Sequence, residues 1–301
     1  MLLLCGLPAC RLAQEGTARP RDPTWEETVR IPTVELSQDL PLSTEVGGES
    51  GWTREKKALL LNGAVGTAVG LYGLGFWNYG GSHFEFANEG WLEKDTSYGG
   101  ADKLGHAYST YLTTLGFASL YQWMGYTERE SRFNAVLSSL GTFTLIEVGD
   151  GFSKNGFSHE DLIVDGVGAA LGYLRLRYPA FERTVDFRVE YLPSPAVTRG
   201  GRRDFFTDYS GYKYLVALKL GGFQALEDSS LQYVELQAGY YTRGFGPDDA
   251  DYFDSATRRG YVAVGINLSR VLHNLGHERT ARVFNYYQFP YAYGDSGQTS
   301  R

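Results

Sequence analysis

The sequence predicts an α+β fold, an apolar helical bundle of about four helices followed by a small antiparallel β segment. Three observations predict it. Two long runs, 58–79 and 107–126, carry no charge and have helical length. Cap signatures at Thr127 and Ser158 open two further helices. After Thr184 the apolar pattern changes to strict alternation, the period of strands.

Taken in chain order, residues 1–15 read as a signal or lipoprotein segment. Leu7-Pro8-Ala9-Cys10 resembles a lipobox, in which Cys10 is lipidated after cleavage; the plainer reading is a frayed apolar N-terminus. Residues 16–55, with Pro20, Pro23, Pro32 and Pro41, read as an irregular linker. A helical domain spans 56–180. Its first helix, 58–79, follows Lys56 and Lys57 and closes on Trp77 and Tyr79, as interfacial residues often do. That run fits either a bilayer span or a buried core helix. The other helices are expected at 101–125, 128–149 and 158–177, with Pro179 marking the end. Thr127 with Glu130 makes a capping box, and Ser158 precedes Asp161 by the same spacing.

A β-rich segment fills 181–301. Alternation places strands at 185–191, 212–220, 231–240 and 260–268. Tyr212, Tyr214, Val216 and Leu218 share one face, and Lys213 and Lys219 the other. Four strands are too few for a transmembrane barrel, which takes about eight or more. The greasy face is therefore expected to pack on the helices or lie at a membrane. The aromatic stretch 284–293 is expected to fold back onto the domain.

Composition narrows the function. The 301 residues are 43% hydrophobic and only 21% charged, with 22 Tyr, 17 Phe and 38 Gly, a mix suited to packed, membrane-proximal structure. A net charge of −7 excludes the basic footprint of a nucleic-acid binder. Cys5 and Cys10 are the two cysteines, which excludes a disulfide framework or thiolate metal site in the folded part. The metalloprotease, serine-hydrolase and phosphate-loop signatures are absent.

What remains is a set of acids and one histidine. Asp102 and His106 lie four apart on one helix face. Glu147 and Asp150 end the third helix, and Asp161 and Asp165 open the fourth, on a stripe continued by Gly168 and Gly172. Antiparallel packing of successive helices brings these three ends to one level. Three readings stay open. The cluster is a structural network in which Lys103 neutralises Asp102. Or it is a catalytic site, with His106 as base, Asp102 orienting it, and Glu147 and Asp161 polarising water. Or it holds a metal or ligand, with Asp150 and Asp165 among the donors.

The residues Glu89-Gly90-Trp91, the run from Tyr98 to Tyr108 (YGGADKLGHAY), Glu147 with Asp150, and Ser158-x-x-Asp161-Leu162-x-x-Asp165-x-x-Gly168 resemble the YfiM-like predicted periplasmic lipoproteins, over about residues 56–178. More distantly they resemble VanZ-like membrane proteins, although Lys154-Asn155 stands where those usually carry an Arg. The resemblance implies a bacterial cell-envelope location, with membrane lipid or envelope components as partners, and implies no reaction. The function expected is a structural or accessory envelope protein; the alternative is a membrane-associated hydrolase acting on a lipid or cell-wall precursor. Nothing in the sequence specifies a cofactor, a substrate or an oligomeric state.

Overall fold

Thr53 caps the first described helix, α1 (Arg54–Phe76), its side chain accepting from the Lys56 backbone N–H. The computed structural model describes residues 51–92, 96–201, 204–246 and 248–300. The lipobox-like stretch and most of the expected linker lie outside them. Lys56 and Lys57 belong to α1 rather than preceding it. The helix stops at Phe76 because Asn78 turns into the left-handed region at φ 59°. Of α1 only Gly73 is buried, while Leu59, Leu60, Leu71, Leu74 and Phe76 are exposed. The buried-core alternative is thereby corrected. The helix packs along one side only, with Gly66 against Leu145 and Asn62 Nδ2 donating to Tyr121 Oη at 2.8 Å.

Helices α2 (Ala101–Trp123), α3 (Glu128–Gly151) and α4 (His159–Arg177) pack together, close to their expected bounds. Both caps are present. Thr127 and Glu130 form the reciprocal capping box, and Ser158 Oγ accepts from the Asp161 N–H at 3.2 Å. The α2–α4 contact depends on glycine. A Cβ on Gly168 would sit 2.2 Å from the Ala107 carbonyl oxygen. A two-residue parallel pair, β1 (Phe86–Ala87) with β2 (Phe157–Ser158), ties the connector before α2 to the start of α4. Pro179 does more than end α4: it occupies the first turn of a short helix, α5 (Pro179–Thr184).

The sheet has five antiparallel strands in sequence order: β3 (Val185–Tyr191), β4 (Tyr212–Lys219), β5 (Val234–Arg243), β6 (Thr257–Ile266) and β7 (Tyr293–Ser300). Four were expected. The fifth was hidden because Gly294-Asp295-Ser296-Gly297 carries no apolar alternation, and it is recruited by pairing with β6. The sheet curls, so that Tyr293 Oη of β7 reaches Glu190 of β3 and accepts from Lys213 of β4, both at 2.9 Å.

The polarity of the sheet departs from expectation. One end of the greasy face does pack on a helix: Phe187 and Tyr214 meet Tyr108, and Phe187 also meets Tyr111, of α2. Farther along, Val216, Leu236, Val262, Val264 and Ile266 are exposed. The opposite face, with Asp186, Arg188, Lys219, Glu235 and Gln237, is buried. It tolerates burial because the charges pair. Arg188 binds Glu235 at 2.7 Å and Asp186 at 2.6 Å, and Arg175 of α4 and Lys219 also reach Asp186. The 284–293 stretch folds back as expected: Tyr286 and Tyr287 join the core, and Gln288 hydrogen-bonds Arg188.

Candidate functional site: a buried histidine and carboxylate centre

The start of α2 is built by backbone geometry. Tyr98, Gly99 and Gly100 are all left-handed, with φ of 54°, 63° and 80°. Gly100 is the N-cap of α2, and a Cβ there would lie 2.5 Å from the Trp91 carbonyl oxygen. The turn sets Asp102, Lys103 and His106 on the first two turns of α2. The end of α3 supplies Glu147. The Ser158 cap supplies Asp161 and then Asp165 one turn later. The antiparallel arrangement thus brings the three helix ends together.

Two adjoining groups result. In the first, the buried Lys103 ammonium is held by three carboxylates from three segments: Asp102 at 2.9 Å, Asp161 at 2.9 Å, and Glu89 from the connector. In the second, His106 Nδ1 lies 3.3 Å from Asp165 Oδ1 and 3.7 Å from Glu147 Oε1. Thr110 Oγ1 donates to Asp165 Oδ1 at 2.7 Å, and the Ser158 N–H donates to Glu147 Oε2 at 3.1 Å. Phe143 walls the imidazole.

Five expected residues therefore divide between two tasks. His106 meets Glu147 and Asp165, whereas Asp102 and Asp161 go to Lys103. Asp102 does not orient His106; Asp165 takes that position. Asp150 is set apart from both groups: its carboxylate accepts from Asn155 Nδ2 at 3.0 Å and helps close the turn after α3. Sequence reasoning missed Glu89 and Thr110 as members. Thr110 follows His106 by four residues and so lies on the same helix face, but Glu89 sits in an aromatic connector with no period to place it.

Burial and charge act strongly here. Burial pushes the Glu147 carboxyl up to about 8, against the pull of His106. Burial and the neighbouring Asp161 raise Glu89 to about 7. Burial also raises Asp102, against Lys103. Burial opposes charge on His106 too, but Asp161, Asp165 and Glu147 outweigh it and hold the imidazole at about 10. Asp161, next to both His106 and Lys103, is held below the usual carboxylate range despite its burial.

No curated protein and no solved structure matches this chain. Residues 88–177, which contain every member of both groups, match the family described as "Predicted periplasmic lipoprotein (DUF2279)".

Proposed function

We propose that this is a cell-envelope protein held at a membrane, with a structural or accessory role in which the Lys103 group braces the helical domain. The membrane reading rests chiefly on α1, an uncharged helix from Ala58 onward that leaves Leu59, Leu60, Leu71 and Leu74 exposed. Its length suits a bilayer crossing, and the matched family's description agrees with an envelope location. The brace reading rests on Lys103. One ammonium joins the connector, α2 and α4, so it fixes their register at the cost of desolvating a charge.

The hydrolase alternative requires His106 to accept a proton near neutral pH. Its carboxylate neighbours keep the imidazole protonated there, which favours the brace. Membrane fractionation tests the first part. The full chain should sediment with membranes and resist carbonate extraction, and should still do so when Cys10→Ser removes any lipid anchor. Recovery of the Cys10→Ser protein in the soluble fraction overturns the role given to α1.

A further inference from the structure

The second group, His106 with Glu147 and Asp165, does something the Lys103 brace does not explain. Each carboxylate has one oxygen held by a buried donor and one left over. Ser158 holds Glu147 Oε2, while Glu147 Oε1 has no hydrogen-bond partner. Thr110 and His106 hold Asp165 Oδ1, while Asp165 Oδ2 has none. Both residues are fully buried, at 1% and 0% exposure. Glu147 Oε1 faces His106 Nδ1 at 3.7 Å, too far for a hydrogen bond. A buried carboxylate oxygen left this way is costly unless a cation meets it.

We propose that His106, Glu147 and Asp165 bind one divalent transition cation, with Zn²⁺ the first choice and Mn²⁺ the second. One donor atom from each residue lies within 4.8 Å of the others. The 3.7 Å from Nδ1 to Glu147 Oε1 is close to the roughly 3.4 Å expected between two ligands of a tetrahedral ion with bonds of about 2.1 Å, and Asp165 offers its unpartnered Oδ2 while Oδ1 stays with Thr110. The ion displaces the proton from His106 Nδ1, so binding releases a proton, and an imidazole nitrogen beside two carboxylates then suits a borderline cation. Ca²⁺ wants six or more oxygens, and a thiolate-seeking ion finds no cysteine among residues 11–301. Thr110 and the Ser158 N–H fill the orienting role that outer hydrogen bonds take around metal ligands. Charge agrees: among the described residues, Glu89, Asp102, Asp161, Glu147 and Asp165 face Lys103 and His106 as cations. The ligand set differs from the sequence expectation, since Asp150 is spent on its turn.

The test is calorimetric titration of ZnCl₂ into the untagged full chain in detergent, after chelator treatment. One ion per chain is expected. Glu147→Gln and Asp165→Asn should each weaken binding by about 100-fold, and Thr110→Val by about tenfold. Asp150→Asn should leave affinity unchanged. Absence of stoichiometric Zn²⁺ on the wild type overturns the proposal, as does unchanged affinity in both carboxylate variants. If those variants lose their circular dichroism, zinc absorption spectroscopy of the wild type decides. A shell of one imidazole and oxygens supports the site; sulfur or a second imidazole overturns it. A Lys103→Met variant that keeps its stability would remove the brace without touching this result.

Discussion

The sheet and the helical bundle each bury a charge network, and the two are balanced differently. In the sheet, Asp186, Glu190 and Glu235 are met by Arg175, Arg188, Lys213 and Lys219. Asp186 is accordingly held below its usual range, since the three cations around it outweigh its burial. In the bundle, five carboxylates face two cations among the described residues, and burial pushes Glu89, Asp102 and Glu147 upward. The sheet network has a cation for every carboxylate and one to spare, so its acids need no cation from outside. The bundle network lacks positive charge, so it must take up protons or a cation. The first kind of network specifies a fold; the second is where we place the proposed ion.

Removing a cation from each network is the sharpest way to separate them. Arg188→Met leaves Asp186 and Glu235 buried with fewer partners, and Lys219 and Arg175 still favour the charged form of Asp186. A loss of about 3–5 kcal/mol is expected, measured by denaturant unfolding at pH 7. Lys103→Met should cost less, about 2–3 kcal/mol, because burial already pushes the Glu89 and Asp102 carboxyls upward. The Lys103 loss should shrink at pH 5, and the Arg188 loss should not. Equal costs and equal pH dependence would erase the distinction.

A third variant tests whether helix contact positions the bundle network. Gly168→Ala forces a methyl against the Ala107 carbonyl and pushes α2 from α4. About 2 kcal/mol of destabilisation is expected. Zn²⁺ affinity should fall with it, since His106 and Asp165 lie on the two separated helices.

The pH dependence of Glu89 comes next in size. Its carboxyl titrates near 7 in the folded protein and near 4.5 in the unfolded chain. The folded state therefore binds more protons between these values, and stability falls as pH rises through that window. The steepest slope is about 1 kcal/mol per pH unit. Thermal melts of wild type and Glu89→Gln should diverge above about pH 5, with the variant flatter. Identical slopes would mean that Glu89 keeps an ordinary carboxyl.

The sequence carried much of this, unevenly. The helices were legible because caps and uncharged runs are local signals: Thr127 and Ser158 make the hydrogen bonds their spacing implies. The meeting of His106 with Glu147 was legible too, because antiparallel helices fix which ends adjoin. Glu89 was not, because a two-residue β pair between distant segments places it. Nor was β7, whose residues become a strand only through β6. The sheet's orientation was hidden for a deeper reason. Alternation tells which residues share a face, but not which face is covered, and here paired ions reverse the usual rule.

That reversal yields the smallest expected effect. Val262 and Val264 lie on the apolar outer face, 61% and 58% exposed. Threonine keeps the β-branch and its strand preference while adding a hydroxyl to each. Because that face is open in the folded chain, Val262→Thr and Val264→Thr together should change unfolding stability by no more than about 0.5 kcal/mol. They should reduce the detergent bound per chain, since those valines offer apolar area to whatever surrounds them. A loss above about 1 kcal/mol per substitution would mean that the chain itself covers this face. The sheet would then have two buried faces, and its ion network would no longer explain why the polar one lies inside.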